Sequence, residues 1–356
     1  MQTQVNKKID FCGKNLYIGL DVHKKSWQVT ILSQDMSLKT FNQSPHPEAL
    51  YSFLNTNYPN ASYYSAYEAG FCGYSHHREL NRLGIHNIVI NAADVPKSNK
   101  DSHRKTDKSD SRNIAEALRA SQLKAIFVFD PDSEEFRGMF RSRLTLAKYI
   151  RRNKVRIKSF LLYRNIEIPS EFSNKPRSIA YVNWLKQLQL KDQKAKIQLD
   201  LLIDRLLFLK EQRRQLDQHL RDTARIRDRE MFNLLQTVPG IGPITAIGLM
   251  AEIGDISRFK NIKQFASYIG LIPRVKQSGE TERIGNITYR NNSYLRPLLI
   301  EAAWQSVRAD SAMLQYYQDS CLKGNSKKAI IKVSRKLLSK IMFVMRNRTK
   351  YERGIV

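Results

Sequence analysis

The chain has 356 residues, and its 42% hydrophobic and 10% aromatic content is enough to build stable cores, which excludes a disordered chain. Its 60 lysines and arginines against 33 acidic residues leave a net charge of +27, so nucleic acid is the expected partner and a membrane surface the competing one. The sequence lacks a long apolar run, which argues against a membrane span, and an apolar N-terminal leader, which argues against secretion. It also lacks paired cysteines, which argues against a zinc or disulfide framework.

We therefore expect a soluble, cytoplasmic protein with more than one domain. Strands and helices alternate in the first third, predicted as 14–132. The predicted strands are 16–22, 27–32, 63–67 and 85–90, and the predicted helices are 47–58, 74–83 and 109–120. The first two strands are close enough to form a hairpin. This alternation indicates an α/β layer fold.

Four acidic residues stand at strand ends or at a helix start. Asp21 interrupts a strand that should be buried, where an unpaired carboxylate is costly. Glu68 follows a strand, at the sheet edge where ligands bind in α/β folds. Asp107 and Asp110 are spaced to face the same way on a helix. Turn and helix capping are the structural alternatives for Asp21 and Asp107. Together, in a basic chain, the four acids predict a Mg²⁺ site that contacts phosphate.

A basic segment, 96–112, surrounds the last two acids. Its cations are Lys97, Lys100, Arg104, Lys105, Lys108 and Arg112. A solvated loop would have the same composition. Beside a carboxylate cluster, however, the segment is suited to hold phosphates, and we predict Lys105 and Lys108 as nucleic-acid contacts.

The middle third, predicted as 133–230, is a helical connector. A basic helical pattern covers 137–164, and leucines then recur at spacings of three and four. These leucines are Leu199, Leu202, Leu206, Leu209, Leu216 and Leu220, with Arg213 in one core slot. The pattern indicates a short coiled coil or a helical hairpin, used either within the chain or between copies of it.

The last third, predicted as 231–356, opens with Pro239-Gly240-Ile241-Gly242 between two helical segments. Glycines permit close backbone approach, and the amides that open the next helix can bind a phosphate. We therefore predict a helix-hairpin-helix in which Gly240 and Gly242 contact nucleic acid. An ordinary tight turn between helices is the alternative.

A loop between two helices follows, and it contains Ser278. Arg274, Lys276 and Arg283 flank this serine and could neutralise a phosphate under attack. Loop serines are also common in turns without any catalytic role. The remaining tail, 323–353, predicts an amphipathic basic helix that contacts phosphates.

The ordered motifs of the chain resemble those of the DEDD transposases of insertion sequences, which are relatives of the Piv-type DNA invertases. The motifs are Gly19-Leu20-Asp21-Val22-His23-Lys24, Tyr67-Glu68-Ala69-Gly70, Lys105-Thr106-Asp107-Lys108-Ser109-Asp110, Val238-Pro239-Gly240-Ile241-Gly242 and Gln277-Ser278-Gly279. The resemblance covers nearly the whole chain. Gln277 and Glu280 depart from the family pattern around the serine, and Ser293 is the reserve candidate.

The resemblance implies an N-terminal RuvC-like domain of RNase H fold, a helical connector and a C-terminal transposase domain. It implies that Asp21, Glu68, Asp107 and Asp110 hold Mg²⁺ and that Ser278 is a nucleophile linked transiently to DNA. It also implies that the partners are donor and target double-stranded DNA, a bridge RNA, and further copies of the chain as a dimer or tetramer.

Taken with the residues, the resemblance implies a site-specific DNA recombinase that excises and inserts its own mobile element. One alternative is a RuvC-like metal-dependent nuclease, in which the same acids activate water and Ser278 is incidental. A second is a non-catalytic DNA-packaging protein that uses the hairpin and the basic tail.

Overall fold

The structure, a computed structural model, describes residues 10–96, 107–173, 178–278, 281–322 and 324–352. Contacts divide the chain into two compact units, Met1–Val128 and Phe129–Val356, which we call the N-terminal and C-terminal units. The predicted division into three domains stays a prediction. Its connector and its transposase domain both lie in the C-terminal unit.

The N-terminal unit is built on one mixed sheet. Its elements are β1 (Asn15–Val22), β2 (Trp27–Leu32), β3 (Ser37–Gln43), α1 (Pro47–Asn57), β4 (Ser62–Glu68), α2 (Ser75–Arg82), β5 (His86–Ile90) and α3 (Asp107–Arg119). The strand order is β3-β2-β1-β4-β5. β1, β2 and β3 are antiparallel, whereas β4 and β5 run parallel to β1. The predicted α/β class is confirmed, and the arrangement is consistent with an RNase H-like domain.

The sequence prediction missed β3. This strand lies at the edge of the sheet, and none of its side chains is fully buried. An edge strand that buries so little needs only weak hydrophobic alternation, so its sequence resembles a polar loop.

Helices cover both faces of the sheet. Leu16, Ile18 and Leu20 of β1 are fully buried in a core that also contains Leu50 of α1 and Leu80 of α2. Because side chains alternate along a strand, Asp21 belongs to the opposite face. α3 covers that face and packs against it in a separate small cluster.

The C-terminal unit is mostly helical. Its elements are α4 (Pro131–Tyr163), α5 (Ser170–Ser173), α6 (Ile179–Gln187), α7 (Gln193–Thr237), α8 (Pro243–Ile253), α9 (Ile262–Ile269), β6 (Pro273–Ser278), β7 (Thr281–Ile287), α10 (Leu295–Ala309), α11 (Ser311–Leu322) and α12 (Ser326–Asn347). Among the described residues, every helix is too short or too polar to cross a lipid bilayer.

α4 and α7 form a long antiparallel pair. Arg143 Nε lies 2.8 Å from Asp217 Oδ1, and Asn153 Nδ2 donates to the Leu202 carbonyl at 2.8 Å. The predicted leucine repeat lies on the side of α7 that packs in clusters with α4. Its buried members are Leu199, Leu206, Leu209 and Leu220, and its half-buried members are Leu202 and Leu216. The repeat thus serves packing within the chain, and Arg213 is partly exposed beside it.

Helices α8 to α12 share one core with the first part of α4 and the last part of α7, whereas α5 and α6 pack in a separate cluster against the other end of that pair. Gly248 of α8 lies so close to Phe140 of α4 that a Cβ there would be 2.5 Å from the ring. α7 is kinked at Asp228, whose side chain accepts a hydrogen bond from the Met231 amide and starts the final helical segment. That segment and α8 flank the short connection 238–242, and the helix-hairpin-helix assigned to this region stays a prediction.

Candidate functional site

The close contact between β1 and α3 positions the acidic residues. A Cβ added at Gly19 would lie 1.9 Å from the carbonyl oxygen of Ser111, so α3 packs directly on the backbone of β1. The Ser111 hydroxyl also lies 2.9 Å from the buried Thr30 hydroxyl of β2. Since Asp107 and Asp110 occupy the turn before Ser111, this contact brings them to the end of β1 where Asp21 lies.

Three side chains meet there. Asp21, His23 and Asp107 each offer one ligand atom, and these atoms all lie within 4.8 Å of one another. His23 Nε2 is 3.0 Å from Asp21 Oδ2 and 3.7 Å from Asp107 Oδ2. Asp21 is mostly buried, whereas Asp107 and His23 are exposed, so the group opens to solvent.

Glu68 ends the neighbouring strand. β1 and β4 are parallel, and Leu20 pairs in register with Tyr67, so Asp21 and Glu68 follow at the same end of adjacent strands. Ala66 packs in the cluster beneath α3, and Glu68, two residues further, belongs to the same face. Asp21 and Glu68 therefore lie at one end and on one face of the sheet, the face that is covered by α3 with its Asp107 and Asp110.

The pKa of Asp21 reflects this crowding. Partial burial raises the pKa of its carboxyl group. The charge and hydrogen bond of His23 oppose that effect, and the negative charges of Asp107 and Asp110 add to it, so the pKa is raised overall. Carboxylates that repel one another in this way are stabilised by a bound cation.

The donor atoms fit a divalent metal ion. Carboxylate oxygens are the ligands that Mg²⁺, Mn²⁺ and related ions share, and Asp21 and Asp107 supply them from two different elements. Asp110 is near enough for its charge to act on Asp21, and Glu68 ends the adjacent strand. A divalent ion suits this set, although the choice of Mg²⁺ stays a prediction.

Sequence reasoning missed His23. The motif that contains His23 assigns it no role, yet its ring nitrogen contacts two of the predicted acids. The usable signal was spacing: residues two apart on an extended chain point to the same side, so an Asp-x-His at a strand end brings both side chains together.

Ser278 lies on a β-hairpin and not in the loop that the sequence predicted. β6 and β7 pair antiparallel, and Ser278 pairs in register with Thr281 at the hairpin end. Two short runs with β-branched residues on either side of a two-residue Gly-containing connection are a sequence signal for such a hairpin. The connecting residues 279–280 lie outside the described part of the chain.

The predicted nucleic-acid contacts are distributed over both units. In the N-terminal unit, Lys108 is exposed in the first turn of α3, and Lys105 lies outside the described residues. In the C-terminal unit, Lys276 and Arg283 are register partners on the hairpin. The Arg274 guanidinium stacks on the exposed ring of Tyr289, with its carbon 3.5 Å from the ring centroid.

The two glycines of the predicted hairpin differ in their surroundings. Gly240 has a φ of +86°, and a Cβ there would be 2.2 Å from the Ala302 carbonyl oxygen of α10. Gly242 is exposed immediately before α8 and has nothing within 4 Å of an added Cβ. Gly240 therefore serves packing within the unit, whereas Gly242 is accessible to a ligand.

The chain matches two transposase sequence models. The model named DEDD_Tnp_IS110 and described as "Transposase" covers residues 18–164, and the "Transposase IS116/IS110/IS902 family" model covers residues 232–318. The first match contains all four predicted acids, and the second contains Gly240, Gly242 and Ser278.

Individual relatives carry the same description. A probable family 20 transposase of Pseudomonas aeruginosa is 31% identical over 253 residues, which are 67% of this chain and 70% of that protein. The transposase for insertion sequence element IS1533 of Leptospira borgpetersenii is 26% identical over 300 residues, 82% and 85% of the two chains. The putative transposase y4qE of Sinorhizobium fredii is 29% identical over 241 residues, which are 68% of this chain but only 58% of that longer protein.

Proposed function

The chain belongs to the IS110-type transposase family, whose members cleave and rejoin DNA, and we propose that it excises and inserts its own insertion sequence as a site-specific recombinase. The observation that carries this proposal is the meeting of Asp21 and Asp107 at the end of β1. Acids that lie far apart in the sequence converge there, on the face of the sheet covered by α3. A phosphodiester is the substrate that such a site suits.

We propose that Asp21, Glu68, Asp107 and Asp110 hold a divalent cation. When bound, the ion supplies positive charge that offsets the charge developing on a phosphate. The protein's own contribution is positional: the Gly19–Ser111 contact fixes α3 on β1, so Asp21 and Asp107 keep their separation. Exposed Lys108 adds a positive charge beside this site for a neighbouring phosphate.

We propose that Ser278 is the nucleophile for strand cleavage. Its hydroxyl oxygen attacks phosphorus, a P–O bond to serine forms, and the P–O bond to one sugar breaks. The serine proton passes to solvent or a nearby base, and the released sugar oxygen takes up a proton. Attack by a sugar hydroxyl on the phosphoserine reverses these changes and rejoins DNA without an external energy source.

Basic groups near Ser278 support this assignment. Arg274 lies four residues away on β6, and its stacking on Tyr289 holds a cation at the base of the hairpin. Arginine suits phosphate because its planar guanidinium can donate two parallel hydrogen bonds. We further propose that Lys276, Arg283 and Gly242 contact DNA, and that a bridge RNA and a dimeric or tetrameric assembly complete the functional complex.

A covalent protein–DNA adduct is the direct test. Full-length protein co-expressed with its element RNA is incubated with labelled element-end DNA and a divalent cation, then resolved on a denaturing gel. We expect an adduct with the wild type and with Ser293→Ala, and none with Ser278→Ala. Ser293 is the matched control because it is an exposed serine after the same hairpin.

The rival nuclease predicts a different gel. Cleavage without an adduct, unchanged in Ser278→Ala, would mean that the acids activate water and that Ser278 is incidental. An adduct lost in Ser293→Ala in place of Ser278→Ala would move the nucleophile to the reserve serine.

A further inference from the structure

His23 occupies a fixed place beside the acidic residues. It follows β1, and its backbone N–H donates to the Ser26 carbonyl at 3.2 Å, closing the turn into β2. The strands on either side of this turn are paired through Val22 and Trp27. The backbone of His23 is therefore anchored by the strand pairing on both sides of the turn.

Among the residues that the structure describes, the ring of His23 belongs to no hydrophobic cluster and no aromatic pair. Two other histidines of the same unit have structural roles: His76 packs edge-on against Trp27 with ring centroids 4.9 Å apart, and His77 Nδ1 lies 2.9 Å from Asn87 Oδ1. The His23 side chain is 52% exposed, and its Nε2 is directed to Asp21 and Asp107. An exposed imidazole held against two carboxylates has the composition of a mixed nitrogen and oxygen ligand set.

We propose that His23 is a ligand of the divalent cation and that it makes the site prefer Mn²⁺, or a similar transition-metal ion, to Mg²⁺. Mg²⁺ strongly favours oxygen ligands and keeps its waters, whereas first-row transition metals accept imidazole readily. The nitrogen of His23 thus contributes to the binding of Mn²⁺ and similar transition-metal ions, and little to the binding of Mg²⁺. This inference rests on the proposed metal site.

The competing role for His23 is to orient Asp21 by hydrogen bonding. In that role the imidazole would support binding of every divalent ion to a similar extent, since it acts through a shared carboxylate ligand. Metal selectivity, measured as the ratio of the dissociation constants for Mg²⁺ and Mn²⁺, separates the two roles because only a direct nitrogen ligand discriminates between the ions.

The experiment measures metal binding by the full chain without DNA. Loss of the electron paramagnetic resonance signal of free Mn²⁺ gives its dissociation constant, and competition gives that of Mg²⁺. We expect His23→Ala to lower the Mg²⁺/Mn²⁺ ratio by at least about tenfold, mainly through weaker Mn²⁺ binding. His23→Asp, which replaces nitrogen with oxygen, should tighten Mg²⁺ binding and lower the ratio further.

Two controls make the result decisive. His86→Ala removes an exposed imidazole at the start of β5. The acidic site lies at the other end of that strand, where Ile90 pairs with Glu68. This variant should therefore leave both dissociation constants unchanged. Asp21→Asn should weaken both ions. If Asp21→Asn has no effect on either ion, the proposed acidic site itself is wrong. If Asp21→Asn weakens both ions but His23→Ala leaves the ratio unchanged, His23 is not a selective ligand and this inference alone is overturned.

Discussion

Asn292 donates a hydrogen bond of 3.0 Å to the carboxylate of Glu252, a glutamate with no solvent exposure. Arg137 Nε and Arg141 Nε lie 3.0 and 2.6 Å from the same carboxylate. The side-chain oxygen of Asn292 accepts hydrogen bonds from the backbone amides of Tyr294 and Leu295 at the start of α10. One buried carboxylate thereby joins α4, α8 and the segment that follows the Ser278 hairpin.

Removing that charge should destabilise the C-terminal unit. Glu252→Gln leaves two arginines without their buried partner, so we expect a loss of about 3–5 kcal/mol in the free energy of unfolding. Chemical denaturation measures it. Glu211→Gln is the control, because Glu211 and Arg214 form an ion pair that is open to solvent and should change stability little. Equal effects of the two substitutions would contradict the importance of burial.

The same carboxylate should make stability depend on pH. Burial acts to raise the pKa of Glu252, but the hydrogen bond from Arg141 and the charges of both arginines lower it overall. A carboxyl group whose pKa is lower in the folded than in the unfolded state stabilises the fold above its unfolded pKa and loses that contribution as the pH falls. Between about pH 5 and pH 3, the unfolding free energy of Glu252→Gln should therefore fall less steeply than that of the wild type.

A side chain at Gly19 should disturb the acidic site. A Cβ there would overlap the Ser111 carbonyl, so Gly19→Ala must displace α3 and should cost about 1–3 kcal/mol of stability. Because α3 carries Asp107 and Asp110, divalent-ion binding should weaken as well. Gly138→Ala is the control. Position 138 lies in α4, a Cβ added there has nothing within 4 Å, and alanine should stabilise that helix by up to about 1 kcal/mol. Unchanged ion binding in Gly19→Ala would contradict this account of the site.

Substitutions at Gly240 and Gly242, in the connection between α7 and α8, should separate effects on folding from effects on DNA binding. Gly240→Ala places a Cβ against the Ala302 carbonyl at a positive φ, so we expect a stability loss of about 1–3 kcal/mol. A Cβ at Gly242 has room, so the free energy of unfolding of Gly242→Ala should lie within about 1 kcal/mol of the wild-type value. If Gly242 contacts a phosphate backbone, only its variant should show weaker DNA binding with normal thermal unfolding. Normal DNA affinity of Gly242→Ala would leave the turn with a structural role alone.

Neutralising Asp21 should reduce activity and raise stability together. Burial and the charges of Asp107 and Asp110 disfavour the ionised form of Asp21 in the folded protein. Because Asp21→Asn removes that charge, the free energy of unfolding of the metal-free protein should rise near neutral pH. Strand cleavage should meanwhile fall by at least about a hundredfold, because a charged ligand is lost. Asp35→Asn, in an exposed turn of the same unit, should change neither the melting temperature nor cleavage. A normal cleavage rate in Asp21→Asn would remove the acidic site from the mechanism and favour a packaging role.

Much of the site could be found in the sequence because its signals are local. Asp21 stands out as an acid in an apolar strand, and Glu68 stands out at a strand end. Asp107 and Asp110 have helical spacing. Basic composition indicated the partner class. Each signal depends on the nearest few residues, and the ordered motifs then indicated the family that the sequence models match.

The sequence alone determined the α/β class and the transposase family, since periodicity and motif order are written along the chain, and it supplied the four acids as candidates for the site. Only the tertiary structure brought His23 to Asp107, placed Gly240 against Ala302 and gave Glu252 its arginine and asparagine partners. These pairs join residues on different elements, so they depend on strand register and helix packing. Local patterns do not encode strand register or helix packing, and the buried backbone contact at Gly19 shows how a single close approach sets the geometry of a site.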